Sequence, residues 1–503
     1  MENNSVDAVR GSVHSVVRDS GRKDCAFDFL SKYLFDRLSV SVPAKYGYDD
    51  VSPKKNVEAM LCDLFEKHVY KSGDGYFLIG GNGMIYVYNG RYYERVETDT
   101  FVREVIKNTL TMLDVGIVYQ KFSHRKIAEE CISGIENRHG CKFVPDRRYI
   151  VFNNGVLDIK TGKLNDFSSK YRTDLILDID YNKYAVHELW DNKLYEIIPN
   201  EDMRNALQMF CGSLLVNRDE IKIEYVCFLL GPGSNGKSII AGSVASAFGD
   251  KYFSKFKPSQ LLTDGQSMYN IASLDGMIGN FTDDLDKKDI SGGDFKRFAS
   301  GEEFQARHPY GRKIFKVKAP PLLCCANDMP TTTDDSWGYH RRILPVYSST
   351  RTWSEKDKDA TLKSKLTTKE ARMAIFNWVY DGYKKIIANG GNIPLGDEVI
   401  QAQIDLRDDS NSARRWIRDS KLVKIDPENA TKDNWKSLAD WHAIYKQFCL
   451  DNGEANIQIS KSISKIFQEK GFAQKRGSKG MMFCIGTMDE SGGIETKDED
   501  LPF

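Results

Sequence analysis

The chain has 503 residues, and its 71 lysine and arginine residues balance 71 aspartate and glutamate residues. At roughly 150 residues per domain, this length predicts about three domains. Zero net charge argues against a polybasic binder and an acidic disordered chain, and the 41% hydrophobic content predicts a globular protein.

No apolar run approaches the roughly 18 residues of a membrane span, and the polar, mixed-charge start of the chain does not resemble a signal peptide. Ten scattered cysteines without a CxxC pair favour reduced thiols in a cytoplasmic protein. Cys131, His139 and Cys141 lie close together, but no fourth ligand follows at a usual spacing. We therefore expect no metal site there.

The first part of the chain predicts an arm, a mixed domain and a helical collar. Residues 1–45 are weakly patterned and are expected to form a helical arm. Residues 46–165 predict an α/β domain with an aromatic strand pair and a turn at Asn89-Gly90, where both positions need positive φ. Residues 166–222 predict a linker and a helical collar, because apolar residues recur there at helical spacing.

A glycine-rich loop follows next. The apolar run 223–230 predicts a buried parallel strand, and a helical pattern begins after the loop. Glycines let backbone N–H groups face a β-phosphate, Lys237 would reach the β and γ oxygens, and Ser238 would bind Mg²⁺. An ordinary glycine-rich turn is the alternative. The candidate phosphate-binding residues are Gly231, Pro232, Gly233, Ser234, Asn235, Gly236, Lys237 and Ser238.

An apolar run over 277–282 ends in Asp283-Asp284 and predicts a second strand with a carboxylate site. One carboxylate, assigned to Asp283, would hold Mg²⁺ while the other orients the attacking water. Asp286 is also nearby, so the assignment of these roles among the aspartates stays open. A solvated acidic loop is the alternative.

Two further polar groups follow apolar strands. The run 322–326 ends at Asn327, whose amide could bind the γ-phosphate or the attacking water, although Asn-Asp before Pro330 also suits a turn. Arg341 and Arg342 are candidate arginine fingers, a group that a neighbouring subunit often supplies to stabilise transition-state charge. A surface pair is the alternative.

The order of these motifs resembles superfamily 3 helicases, and more narrowly the phage and plasmid primase-helicases of the satellite-phage and poxvirus type. The stretches 152–158 and 86–93 are similar to that family's region upstream of the helicase. Over roughly residues 50–487, the resemblance implies a P-loop, AAA+-like α/β ATPase core at 223–410, in which residues 354–407 would complete a lid. It also implies bound ATP and Mg²⁺, a homo-hexameric ring on single-stranded and forked DNA, and a place in the bacterial host cytoplasm.

In that family a β-hairpin carries basic residues into the ring's pore. The matching stretch 305–318 has five cations and no acid, and Arg307, His308, Arg312 and Lys313 are candidate DNA contacts. A solvated basic hairpin is the alternative. Relatives often carry a primase domain before the collar, but here only about 160 residues precede it and the only hDhD-like string is at 177–180. We therefore expect a helicase without primase activity.

The end of the chain predicts a winged helix and an acidic tail. Residues 411–487 read as helices followed by a hairpin at 473–485, and 457–487 holds six cations and one acid. Lys475, Arg476 and Lys479 are therefore candidate contacts to duplex DNA, with a protein-docking wing as the alternative.

Residues 488–503 hold six acids and one lysine and predict a disordered tail. Its end resembles the acidic tip of bacterial single-stranded-DNA-binding proteins and would recruit host replication or repair proteins. An inert tail is the alternative. The candidate partner-binding residues are Asp498, Glu499, Asp500, Leu501, Pro502 and Phe503.

The predicted function is that of a replicative DNA helicase of a phage or mobile element. The alternatives are an ATP-dependent replication initiator or origin-binding protein, a primase-helicase and an RNA-directed viral helicase. The RNA alternative stays open because no feature of the sequence is specific for the 2′-hydroxyl that distinguishes RNA from DNA.

Overall fold

The computed structural model describes residues 77–79, 85–96, 145–262, 267–283, 285, 292–309, 314–330, 332, 334–354, 359–454, 457–478 and 480–488. These residues form a mixed α/β fold with a parallel sheet, which confirms the predicted fold class at that level. The predicted arm, the cysteine–histidine cluster and residues 489–503 lie outside the described residues.

The strands are β1 (Phe77–Ile79), β2 (Ile85–Tyr88), β3 (Tyr93–Val96), β4 (Tyr149–Phe152), β5 (Gly155–Asp158), β6 (Lys163–Asn165), β7 (Val226–Leu230), β8 (Phe253–Ser254), β9 (Gly279–Thr282), β10 (Glu303–Ala306), β11 (Phe315–Lys318), β12 (Leu322–Ala326), β13 (Ile343–Tyr347), β14 (Leu422–Lys424), β15 (Trp435–Ser437), β16 (Ala473–Gly477) and β17 (Gly480–Thr487). The helices are α1 (Glu188–Ile197), α2 (Glu201–Gly212), α3 (Lys237–Phe248), α4 (Pro258–Leu262), α5 (Ser267–Ala272), α6 (Gly293–Ala299), α7 (Trp337–His340), α8 (Leu362–Lys365), α9 (Lys369–Ala388), α10 (Asp397–Asp409), α11 (Ser412–Asp419), α12 (Leu438–Asp451) and α13 (Ser460–Glu469).

The centre of the molecule is a five-stranded parallel sheet in the order β13-β7-β12-β9-β8. Every residue of β7 is buried, because both faces of this strand are covered. Cys227 and Leu229 join a hydrophobic cluster with α2, α3 and α9. The alternate residues of β7, Val226, Phe228 and Leu230, join a second cluster with α6 and α7. The sheet is therefore the layer between two cores.

Helix α9 packs closely against α2. A Cβ atom added to Gly212 would lie 2.2 Å from the backbone nitrogen of Tyr383, and one added to Gly382 would lie 2.1 Å from the oxygen of Gln208. Only glycine allows this contact between the two backbones. Part of the segment expected to complete a lid, residues 354–407, thus packs through α9 on α2.

Two small antiparallel sheets precede the central one, in the orders β1-β2-β3 and β4-β5-β6. The β2–β3 connection spans residues 89–92, and only Gly90 has a positive φ, of 92°. The side-chain oxygen of Asn89 accepts hydrogen bonds from the backbone N–H groups of Arg91 and Tyr92. The expected two-residue turn is therefore wrong, since the Asn89 side chain and a hydrogen bond from its backbone N–H to the carbonyl of Tyr92 close a longer loop.

The C-terminal module has its own core around Trp416, Trp441 and Phe467. Strand β17 pairs with β14, β15 and β16, and α12 and α13 pack beside this sheet. Helix α12 begins with a reciprocal cap in which Ser437 and Asp440 bind each other's backbone N–H groups. Among the described residues, no helix is both long and apolar enough to cross a membrane.

Candidate functional site

Three parallel strands end at one edge of the central sheet, and each is followed by residues that the sequence selected separately. The loop 231–238 follows β7, Asp283 follows β9 and Asn327 follows β12. Strand β12 lies between β7 and β9. The strand that carries the carboxylate is therefore not adjacent to the strand that carries the loop. The three groups nevertheless line one cleft of about 830 Å³.

The loop conformation depends on glycine at two positions. Gly231 has a φ of 145° and Gly236 has a φ of 88°. A Cβ atom on Gly231 would lie 2.1 Å from the Ser348 hydroxyl oxygen, and one on Gly236 would lie 2.5 Å from Cδ1 of Ile197. Any larger residue would therefore displace the loop from the structure around it.

Gly236 is also the residue that precedes the first turn of α3. The backbone N–H groups at this end of the helix, with the partial positive charge of the helix terminus, favour an anion at this point. The Ser238 side chain belongs to the same turn and is exposed in the cleft. The start of α3 therefore presents polar groups suited to an anion, and phosphate binding there stays a prediction.

Lys237 is buried beneath the loop and folds back onto it. Its ammonium donates hydrogen bonds to the carbonyl oxygens of Gly231 and Pro232, both at 2.7 Å, and to Oδ1 of Asn235 at 3.0 Å. Burial lowers the pKa of the Lys237 ammonium. One lysine therefore keeps the two ends of the loop together.

A second set of contacts joins the loop to the segment after β13, and sequence reasoning missed it. Asn235 donates from Nδ2 to the hydroxyl of Ser348 at 2.5 Å and to the carbonyl of Ser349 at 3.2 Å. The backbone N–H of Trp353 donates to the carbonyl of Ser234 at 2.8 Å. The only available signal was that this segment follows a strand that could neighbour β7.

Asp283 and Asn327 are exposed and line the same cleft as the loop. Asn327 is close enough that a Cβ added to Gly233 would lie 4.0 Å from its Oδ1. Burial and the charge of Asp283 raise the pKa of the Cys325 thiol to about 12, which keeps this cleft-lining group neutral. A hydroxyl and a carboxylate, from Ser238 and Asp283, are the oxygen ligands that Mg²⁺ prefers, so the donor set fits this ion. Asp284 and Asp286 lie outside the described residues.

Arg341 and Arg342 are not in this cleft. The backbone N–H of Val226 donates to the carbonyl of Arg342, which places the arginine pair at the amino ends of β13 and β7. The loop is at the carboxyl end of the same strands, roughly 16 Å away at about 3.3 Å per residue. Burial alone would raise the pKa of Glu224, but hydrogen bonds from Arg341 and Ser300 and the charge of Arg342 lower it to about 2.

Strands β10 and β11 form the antiparallel pair expected at 305–318, but its described cations are already engaged. Lys316 pairs with Glu303 at 2.9 Å, Lys318 pairs with Asp219, and Arg307 donates to the hydroxyl of Tyr269 at 2.6 Å. Acids outside the stretch therefore reduce the charge that its sequence alone suggested. His308 is exposed and stacks on Phe315, whereas Arg312 and Lys313 lie outside the described residues.

The basic residues of the C-terminal hairpin lie on β16. The Lys475 ammonium is 3.7 Å from the ring centroid of Trp435, and Arg476 is exposed. Lys479 and the partner-binding candidates 498–503 lie outside the described residues.

Comparison with known proteins finds one family model, described as D5 N terminal like, which matches residues 59–199. Two solved structures of the apo C-terminal region (305–718) of NrS-1 are similar to this chain. The first is 9% identical, covers 81% of this chain and 95% of that chain, and has a TM-score of 0.41. The second, an A form, is 10% identical, covers 81% and 96%, and has a TM-score of 0.42.

Proposed function

We propose that this chain is an ATP-dependent DNA helicase that serves the replication of a phage or mobile element. The observation that carries the proposal is the meeting of the loop 231–238, Asp283 and Asn327 in one cleft at the carboxyl edge of a parallel sheet. Phosphoryl transfer needs these three kinds of group. The D5 N terminal like match over residues 59–199 supports the same family of functions from a different part of the chain.

Within this proposal, the cleft is a P-loop site. Backbone N–H groups of residues 231–238 bind the phosphates of ATP, and Lys237 exchanges its loop carbonyls for phosphate oxygens. Ser238 and Asp283 hold Mg²⁺, which when bound neutralises charge on the phosphate oxygens. Asn327 orients the attacking water from the opposite wall of the cleft.

A ring explains why the arginine pair lies at the far edge of the sheet. In a homo-hexamer of AAA+-like subunits, that edge of one copy can face the cleft of the next, and an arginine then completes the neighbour's site. The β10–β11 hairpin and a winged helix over 411–487 are the proposed DNA contacts. The tail at 498–503 is the proposed contact to host proteins.

The test is unwinding of a forked DNA duplex by the purified chain with ATP and Mg²⁺. Lys237→Ala and Asp283→Asn are expected to abolish hydrolysis and unwinding, whereas Lys384→Ala, at an exposed position on α9, keeps both. Oligomer size with ATP and DNA is measured for each variant. Hydrolysis and assembly without unwinding would instead identify an initiator. Preference for an RNA fork would identify an RNA helicase.

A further inference from the structure

Trp353 is the single aromatic residue among the described residues that line the cleft. It lies beyond β13, on a segment that is fixed to the loop by the hydrogen bond from its own N–H to the carbonyl of Ser234, at 2.8 Å. Its aromatic ring is only partly buried. An aromatic surface beside a phosphate-binding loop is therefore available to a ligand.

The indole ring is held in one orientation by contacts that come from α1 and α3. Its Nε1–H donates to Oε1 of Glu196 at 3.0 Å. Lys193 binds the other oxygen of Glu196 at 2.6 Å, and its ammonium is 5.1 Å from the indole centroid. A Cβ atom added to Gly236 would lie 2.7 Å from Cη2 of the ring, so the distal edge of the indole packs on the start of α3.

The strand order places this ring on the side of the loop away from the reactive groups. The neighbouring strands of the sheet are β13, β7, β12 and β9, in that spatial order. The loop follows β7, Asn327 follows β12 and Asp283 follows β9, whereas Trp353 comes after β13 on the other side. A triphosphate held by the loop with its terminal phosphate toward Asn327 and Asp283 directs its nucleoside toward Trp353.

We propose that Trp353 stacks on the base of the bound nucleoside triphosphate, and that Glu196 and Lys193 are positioning residues for its indole. This inference rests on the proposed function of the same cleft. It assigns the base-binding part of the site to a segment outside the glycine-rich loop, and it connects base binding to α1 of the collar.

The proposal separates binding of the base from binding of the phosphates. Base–aromatic stacking contributes about 1–3 kcal/mol, so Trp353→Ala is expected to weaken ATP binding by about 5- to 150-fold. Inorganic tripolyphosphate has no base, and its affinity should therefore be the same for the wild type and the variant. Trp353→Phe keeps an aromatic ring and is expected to recover much of the loss.

The experiment measures the Kd of ATP and of tripolyphosphate, each with Mg²⁺, by calorimetry on the full chain. Selective weakening of ATP by Trp353→Ala supports the proposal. Equal weakening of both ligands would overturn it, because the indole would then act only by supporting the loop. Unchanged ATP affinity in Trp353→Ala would also overturn it. A wild-type chain that binds neither ligand would instead refute the proposed function of the cleft.

The positioning residues have a separate readout in steady-state hydrolysis. Glu196→Ala removes the acceptor for the indole N–H and is expected to raise the KM for ATP several-fold with little change in kcat. Glu196→Gln keeps an acceptor oxygen and should raise the KM less. Equal losses of kcat in both variants would contradict the positioning role. Urea unfolding of each variant establishes that the compared proteins are folded.

Discussion

Arg341 and Arg342 bind the two oxygens of one carboxylate, that of Glu224, at 2.7 and 3.3 Å. The Arg341 side chain is 40% exposed, whereas that of Arg342 is 14% exposed. Arg342 also donates to the hydroxyl of Ser300 and to the carbonyl of Gly338. The structure thus separates the pair into one accessible arginine, Arg341, and one that is held by contacts within its own chain, Arg342.

Arg341→Ala is therefore expected to lower kcat for ATP by about 10³-fold or more, the loss typical of an arginine finger, with ATP affinity nearly unchanged. Arg342→Ala should instead lower the free energy of unfolding by about 1–3 kcal/mol, because it removes the part-buried hydrogen bonds to Ser300, Gly338 and Glu224. Hydrolysis rates and urea unfolding check the two expectations.

A mixing experiment tests whether Arg341 acts across a subunit boundary. Arg341→Ala subunits keep an intact loop, and Lys237→Ala subunits keep an intact arginine. When the two inactive variants are mixed, some interfaces combine both intact parts, and we expect hydrolysis to reappear. No recovery in mixed oligomers would count against a finger supplied by the neighbour.

His340 makes stability depend on pH. It is 2% exposed, and burial, followed by the charge of Arg407, lowers its pKa to about 4. The charges of Asp335 and Asp334 act in the opposite direction and raise this pKa, and the charge of Arg414 lowers it further. Between pH 6.5 and about 4 the unfolded chain binds a proton at this residue and the folded chain does not, so the free energy of unfolding falls as the pH falls.

The contribution of His340 over this window is on the order of 3 kcal/mol. In His340→Asn, the decline in stability between pH 6.5 and pH 4 should be smaller by that amount. Urea unfolding across this range measures it. Parallel pH profiles for the two proteins would show that His340 is not the group responsible.

Glu469 pairs with the guanidinium of Arg414, a residue that is 2% exposed, and also with Arg407 at 3.0 Å. Glu469→Ala is expected to lower the free energy of unfolding by about 1–3 kcal/mol, because a buried cation loses its nearest partner. Adding Arg414→Met should recover part of the loss. Asp419→Ala breaks an exposed pair with Arg418 and should cost less than about 1 kcal/mol.

Two glycine substitutions should have opposite effects on stability. Gly242 lies within α3, and a Cβ there would meet nothing within 4 Å, so Gly242→Ala should raise the free energy of unfolding by about 0.5–1 kcal/mol. Gly231→Ala should abolish ATP binding, because its Cβ would overlap the Ser348 hydroxyl. Denaturation and calorimetry measure both; intact ATP binding in Gly231→Ala would contradict the loop geometry.

Arg476 and Lys475 differ in their surroundings on β16, and DNA binding should reflect this. Arg476→Ala is expected to reduce the slope of log K against log salt for duplex DNA by about 1, the effect of one lost phosphate contact. The Lys475 ammonium lies over Trp435, so Lys475→Ala should change the slope less. An unchanged slope in both variants would favour a wing that docks protein instead.

The parts of the site that follow strands were accessible from the sequence. An apolar run that ends in glycines, in Asp283 or in Asn327 indicates a strand and the polar group after it, because parallel strands bring such ends to one edge. The strand order could not be read in this way. The insertion of β12 between β7 and β9 depends on long-range packing, and no local pattern specifies it.

Most of the contacts that sequence reasoning missed join residues far apart in the chain. Lys318 lies in an acid-free stretch, yet it pairs with Asp219 from a distant part of the chain, and Lys316 pairs with Glu303 on the neighbouring strand β10. Likewise α9 reads as an ordinary amphipathic helix, and its close packing on α2 depends on a glycine in each helix. Charge counts along a chain therefore overstate the free charge of its folded surface.

The three loop oxygens bound by Lys237 compete with any incoming phosphate for the lysine ammonium. The ammonium must leave the carbonyls of Gly231 and Pro232 and the side chain of Asn235 before it can pair with a ligand. Breaking these hydrogen bonds costs free energy that offsets part of the lysine–phosphate attraction. The measured affinity will therefore understate the strength of the lysine–phosphate contact. Release of Asn235 would also affect Ser348 and Ser349, which accept hydrogen bonds from the same side chain. Ligand arrival can thus be signalled to the segment after β13 through a single amide side chain.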